Sequence, residues 1–283
     1  MTFADWCAEP LVDGHHRFDA LPLPALHPLL HGQFVVELDI RDGVIVSCTF
    51  DASGSHRGDE QVLQKRDYKQ GLAFVNRHSW LTAAFAETLY ARIIEDALGI
   101  AVSERTAALR ELVLELNAAA ALAYWDAVDA EVRGDRGDLT PRERVLDVLE
   151  RVVGARIHPT YVRIGGVSAD IDAHDADAIR SLGMQDIDRA LAAVIRSEGP
   201  ISVSLPKVIR LPQGEYTGSI KTPHGPLNIS VHSSGDKVPA KVELHTAGSN
   251  ALEALAHDAV GMRTPDFFLR LASTRLVLGE VAR

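Results

Sequence analysis

The stretch "SERTAALRELVLELNAAAALAYWDAVDAEV", Ser103 to Val132, decides the fold. It is rich in Ala, Leu, Glu and Arg, has few β-branched residues and holds neither Gly nor Pro, so it reads as one long helix, Glu104 to Val132. Ser103 stands where a capping residue belongs, and Gly99 stops the helical run before it, Ser79 to Leu98. Downstream, "RGDRGD" at Arg133 to Asp138 is a polar turn. Thr140-Pro141 then opens a helix to about Val153, with Thr as cap and Pro at the first helical position. Glu60 to Gln70 and Gln185 to Ser197 have the same helical character, which makes residues 60–197 a helical bundle with a polar, small-residue stretch from Asp170 to Gln185.

On both sides of this bundle the period changes to two. "HGQFVVELDIRDGVIVSCTF" alternates apolar residues about Asp42-Gly43, a dipeptide suited to a tight hairpin, and predicts strands Gln33 to Ile40 and Val44 to Phe50. After Pro200, short alternating runs separated by turn residues predict a β-rich section over 200–247. A helix beginning at Ser249-Asn250 and a tail complete 249–283. The expected class is α+β: a central helical bundle, an N-terminal β-hairpin at 33–50 and a C-terminal β-rich section, forming one domain over 25–283 after an extension at 1–24.

Composition narrows the functions. The chain has 283 residues, a formal net charge of -10 and 46% hydrophobic residues. That acidity argues against a nucleic-acid surface, since phosphate binding needs an excess of Lys and Arg. The start has no basic region followed by an apolar run, so it does not read as a secretory signal. The most apolar stretches, Ala118 to Tyr124 and Ala190 to Ile195, fall short of the roughly 20 residues that span a bilayer. Membrane association therefore has to run through a partner. Cys7 and Cys48 are too few for a disulfide framework or a four-thiolate metal site, and suit a reduced cytoplasm.

Individual motifs say less. His27 and His31, four apart in "HPLLHG", have the spacing of paired metal ligands on a helix, but Pro28 and the strand that follows work against a helix there. A loop pair satisfied by backbone groups is the plainer reading. "SHRGDE" (Ser55 to Glu60) reads as a solvated charged turn. Walker, GxGxxG and GxSxG patterns are missing. The segment "VGARIHPTYVRIGGV", Val153 to Val167, is unusual: Arg156, His158, Tyr161 and Arg163 crowd an apolar run that ends in a double glycine.

Several blocks, taken in order, resemble the D subunit of bacterial NADH:quinone oxidoreductase (complex I), a family related to the large subunit of nickel-iron and energy-converting hydrogenases. They are "HPLLHG" before the hairpin; "HRGDE" (His56 to Glu60), like the family's HRGxE; "NRHSW" (Asn76 to Trp80), like DRLDY; "LGIAVSERTAALRELVLEL" (Leu98 to Leu116); "RERVLDVLERVVGARIHPTYVRIGGV" (Arg142 to Val167); and the terminal "GEVAR", like GEVDR. The match is close over residues 25–172 and looser over 185–283.

The resemblance implies a nickel-iron hydrogenase large-subunit-like fold and a peripheral subunit on the cytoplasmic side of the cell membrane. Its implied partners are a small, B-like iron-sulfur subunit, a C-like subunit and membrane anchor or antiporter-like subunits, with NADH bound elsewhere in the assembly. His158, Arg77, Arg156 and Arg163 would face the partner's iron-sulfur cluster, while His27, His31 and Trp80 would line the redox pocket. On this reading the chain binds no cofactor by itself, and a quinone is the acceptor to test.

Departures from the family matter too. Trp80 replaces the tyrosine of DRLDY, and an indole N–H donates a hydrogen bond but is no useful proton donor. The positions matching the hydrogenase cysteines fall in "NRHSWLT" and "STRLVLGEVAR", which carry no thiolate for nickel and iron. "AAAALAYW" has alanines where the family has polar residues, and an internal segment is skipped between Asp172 and Gln185. The implied role is thus a partner-facing subunit of a complex I-like oxidoreductase. A fully quinone-reducing subunit and a repurposed scaffold are the alternatives.

Overall fold

Phe3 and residues 10–282 are described in a computed structural model of the chain; Cys7, and Arg283 at the end of "GEVAR", lie outside the described residues. Two compact units emerge, each discontinuous in sequence: 1–57, 123–139 and 246–283 form the first, and 58–122 with 140–245 form the second.

The first unit is built on an antiparallel sheet in the order β1 (Gly14–Phe18), β2 (Val35–Arg41) and β3 (Val44–Asp51). Asp42 and Gly43 both take positive φ, 54° and 75°, as the expected two-residue hairpin demands. Strand β1 lies in the stretch read as an extension. "GHHRF" has no apolar alternation because it sits at a sheet edge, where Phe18 stacks edge-on against Phe268, with centroids 5.2 Å apart. Val36, Leu38 and Ile45 from the sheet share a core with Leu255, Phe267, Phe268 and Leu271.

The second unit holds α1 (Asp59–Leu63), α2 (Tyr68–Val75), α3 (Ala83–Leu98), the part of α4 (Glu104–Val132) up to Leu122, α5 (Thr140–Val153), α6 (Ala173–Arg180) and α7 (Gln185–Arg196). It also contains a short hairpin, β4 (Val162–Arg163) and β5 (Gly166–Val167), and the antiparallel sheet β6 (Gly214–Thr222), β7 (Gly225–Ser233) and β8 (Lys241–His245). The helix expected over Glu60 to Gln70 is broken because the Asp67 side chain accepts from the Gln70 N–H at 2.9 Å and starts α2 afresh. Helix α6 falls in the stretch read as polar and rich in small residues; a reciprocal capping box between Asp172 and Asp175 starts it. Helix α3 is buried on nearly every side, so its two inner carboxylates, Glu87 and Glu95, have to be satisfied within the protein.

Beyond β8, in the first unit, come α8 (Ala247–Asp258), α9 (Thr264–Ser273) and α10 (Leu278–Val281). The last two occupy the stretch expected to be tail. Pro265 in the first turn starts α9, and Phe267, Phe268 and Leu271 form its buried stripe.

Candidate functional site

The crowded segment after α5 is a strained loop clamped from inside. Gly154 leaves the helix at φ 81°, and two residues with side chains then adopt the left-handed region, His158 at 57° and Thr160 at 43°. For a β-branched residue such as Thr160 this is costly, roughly 1–3 kcal/mol, and persists only when the surroundings over-determine it. Glu87 supplies part of that constraint: its carboxylate accepts the backbone N–H groups of Tyr161 and Val162, each at 3.1 Å, and the Asn76 Nδ2 at 2.5 Å. Burial raises the Glu87 pKa above its ordinary value, and these hydrogen bonds oppose the rise.

Glu95, two turns further along α3, accepts the Gly165 N–H at 2.6 Å and pairs with Arg110 of α4 at 2.6 and 2.9 Å. Arg110 Nη2 also donates to the carbonyls of Arg163 and Gly166, at 2.9 and 3.0 Å. The double glycine has a steric reason as well. Gly165 has φ 79°, and a Cβ on Gly166 would lie 2.5 Å from the Ile201 carbonyl oxygen and 2.6 Å from the Ser202 Cα.

On this frame sit the polar side chains of the segment. His158 is half-buried, and its Nδ1 donates to the Asn76 carbonyl at 3.1 Å. Arg77 is exposed and donates to the Asn76 Oδ1 at 3.0 Å. Asn76 therefore ties His158, Arg77 and buried Glu87 into one network. Arg163 is exposed and donates to the Thr160 carbonyl. Arg156 differs: it is ion-paired with Glu143, Asp147 and Glu150 of α5, at 2.5, 2.5 and 3.2 Å, which pins the loop to the helix and offsets its charge.

Beyond Asn76 and Arg77 the chain buries His78, whose Nδ1 lies 3.0 Å from the Asp59 carboxylate, and then enters a turn at Trp80. The half-buried Trp80 indole lies under the Arg142 guanidinium, 5.5 Å from its centroid. "SHRGDE" is accordingly solvated only in part. Asp59 holds His78, and Glu60 accepts the Leu244 N–H at 2.9 Å, while His56 and Arg57 are exposed.

In the first unit, His27 and His31 occupy a turn rather than a helix face. His27 is fully buried, packs edge-on against Trp125 and caps the turn Pro28–His31, its Nδ1 accepting the Leu29 N–H at 3.2 Å. Burial pushes its pKa from 6.5 down to about 4, so it is neutral at physiological pH. His31 is exposed at the end of the turn. Among the described residues no group of three or more His, Cys, Asp or Glu is placed to hold a metal, and the two motif positions offer no thiolate, so the donors present do not fit a nickel-iron centre.

One consequence of His27 is measurable. A neutral buried histidine leaves the unfolded chain with more bound protons between pH 6.5 and 4, so stability falls as pH falls through that window, by about 3 kcal/mol from this group. Urea titrations at pH 7 and pH 4.5 are expected to show a smaller acid loss for His27→Asn than for the parent chain. An equal loss in both would remove this role.

Sequence reasoning missed Glu87, Glu95, Arg110, Asn76 and the Asp59–His78 pair as site-forming groups. The available signal was Glu87 and Glu95, two turns apart, inside the largely apolar run "AAFAETLYARIIEDAL".

The helices and antiparallel sheets of the two units belong to a hydrogenase large-subunit-like class of fold. The solved structure of the membrane-bound sulfane sulfur reductase, an archaeal respiratory membrane complex, contains a chain of this fold. It matches with a TM-score of 0.78 over 96% of this chain and 98% of that one, at 17% identity. The profile of the family described as respiratory-chain NADH dehydrogenase, 49 Kd subunit, matches residues 138–196 and 201–283, half of the chain, and the chain belongs to that family. The NADH-quinone oxidoreductase D subunit of Desulfitobacterium hafniense (strain Y51) is 22% identical over 356 positions, covering 90% of this chain and 94% of the relative. The D subunit of Mycolicibacterium vanbaalenii is 34% identical over 166 residues, 55% of this chain and 37% of its own length. The first alignment has more positions than this chain has residues, so that relative carries segments missing here. The resemblance read from the sequence holds. Among the described residues no helix is long and apolar enough to cross a membrane.

Proposed function

We propose that this chain is a peripheral subunit of a membrane-bound, complex I-like oxidoreductase, and that the loop around His158 faces a small iron-sulfur subunit. The observation that carries this reading is the group of exposed Arg77 and Arg163 with half-buried His158, held from behind by Glu87, Asn76, Glu95 and Arg110. Ile157, 44% exposed, gives the same loop an apolar contact. Two buried carboxylates and an internal ion pair are a costly way to hold a mere connection, but a reasonable way to fix cations beside a partner's anionic cluster, whose reduction they favour.

In this reading Arg156 holds the loop, its charge being shared among three carboxylates. Buried His27 has a structural part within its own turn, and Trp80 keeps its place beside Arg142. The cluster resides in the B-like partner, this chain binds no cofactor alone, and the acceptor is a quinone, as the names of its relatives suggest. C-like and membrane anchor or antiporter-like proteins complete the assembly on the cytoplasmic side.

The test is co-expression of the tagged chain with the iron-sulfur subunit from its own genome. A brown co-purifying complex is expected, in which His158→Ala, by removing a hydrogen-bonding imidazole, makes the cluster potential more negative. A colourless monomer indifferent to the partner would overturn the assignment, and an unchanged potential would remove His158 from the cluster's surroundings.

A further inference from the structure

A cavity of about 500 Å³ lies between α3, α4 and the end of β6, wholly within the second unit, and no residue of the His158 loop lines it. Small-molecule sites span roughly 300–1,000 Å³. Helices α3 and α4 run antiparallel past each other, fixed by the Glu95–Arg110 pair and by Asn117 Oδ1, which accepts the Ala84 N–H at 3.1 Å. Arg92 is therefore level with the Glu111 end of the cavity, and Phe85 with the Leu122 end. Along these two helices the cavity is charged at one end and apolar at the other. Its apolar wall is made of buried Phe85 and Leu114, half-buried Ala118 and Ile220, and Leu122, which is 41% exposed. Single exposed leucines are ordinary, whereas a concave apolar wall with charges converging on it is the common form of a ligand site.

Four charged side chains border it: Glu111 and Glu115, one turn apart on α4, Arg92 on α3 and Lys221 on β6. Among the described residues none of these side chains makes a hydrogen bond or an ion pair. Glu115 is the most enclosed of them. Burial raises its pKa, Glu111 and Asp186 raise it further and Arg189 opposes them, so the charge gathered around it is mainly negative. We propose that this cavity binds a small zwitterionic amphiphile, by chemical class an α-amino acid with a long apolar side chain. Its ammonium is matched by Glu111 and Glu115, its carboxylate by Arg92 and Lys221, and its side chain by Phe85, Ala118 and Leu122. Charge complementarity selects the zwitterion, because a plain amine would meet two unpaired cations and a plain acid two carboxylates. The site is independent of the oxidoreductase reading above.

The experiment is calorimetric titration of the full chain with L-2-aminooctanoate, with octylamine and octanoate as controls that carry one charge each. The amino acid is expected to bind saturably with a Kd of about 0.1–1 mM, and each control at least about tenfold more weakly. In the double variant Glu111→Gln with Glu115→Gln, both outside the buried core, the amino acid is expected to lose about tenfold and to bind no better than octanoate. No saturable binding up to about 10 mM, or equal binding of the three compounds to the parent chain, would overturn the proposal. An unchanged affinity in a folded double variant would overturn it as well. Binding to the free chain that disappears in the complex with the iron-sulfur subunit would assign the cavity to a partner protein and overturn the ligand site.

Discussion

Arg110→Ala is expected to lower the unfolding free energy of the chain by roughly 3–5 kcal/mol, read as a shifted urea midpoint at unchanged slope. The guanidinium is 1% exposed and its Nη1 and Nη2 make four hydrogen bonds, two to Glu95 and one each to the carbonyls of Arg163 and Gly166. Removing it leaves the Glu95 carboxylate buried with the Gly165 N–H and no counter-charge, and strips two carbonyls of their donor. The control is Arg110→Met with Glu95→Gln. This double variant should cost clearly less than the sum of the single changes, because neither residual side chain is a buried charge. A loss under about 1 kcal/mol for Arg110→Ala would mean that the pair is solvated in solution and that the β4–β5 hairpin does not depend on it.

This pair also marks the limit of what the sequence made legible. Periodicity was enough to place α4, α5 and the β2–β3 hairpin, because each carries its own signals: Ser103 and Thr140 at helix starts, Asp42-Gly43 at the turn. Strand β1 and helix α9 were missed for a different reason. "GHHRF" is a strand only because β2 offers it an edge, and the stripe of α9 is apolar only toward a core that the sequence does not display. Buried Glu87, Glu95 and Arg110 looked like ordinary helix charges, since burial of a charge depends on tertiary neighbours far along the chain. The family resemblance supplied the outward-facing groups, Arg77, His158 and Arg163. It could not supply the frame behind them or the ion cluster that occupies Arg156.

Glu87→Ala is the second large effect expected, about 3 kcal/mol or more, because three donors, Asn76 Nδ2 and the N–H groups of Tyr161 and Val162, lose one shared acceptor in the interior. Glu87→Gln separates the contributions. It keeps one acceptor oxygen but turns an amide donor toward groups that are themselves donors, so it should cost roughly 1–3 kcal/mol and displace Asn76. The pH dependence provides an independent sign. Burial raises the folded pKa of Glu87 above its ordinary 4.5, so its contribution is complete below that value and is lost as pH rises through the folded value. His27 acts in the opposite direction, its contribution being lost as pH falls from 6.5 toward 4. Glu87→Gln should therefore flatten the decline on the alkaline side of pH 4.5, while His27→Asn flattens the decline on the acid side of pH 6.5. The Glu87 effect should also reach the loop: Asn76 positions both His158 and Arg77, so a displaced Asn76 releases the two side chains together. A Glu87→Gln chain that keeps its stability, its pH profile and its affinity for the iron-sulfur partner would show that the loop is held by Glu95 and Arg110 alone.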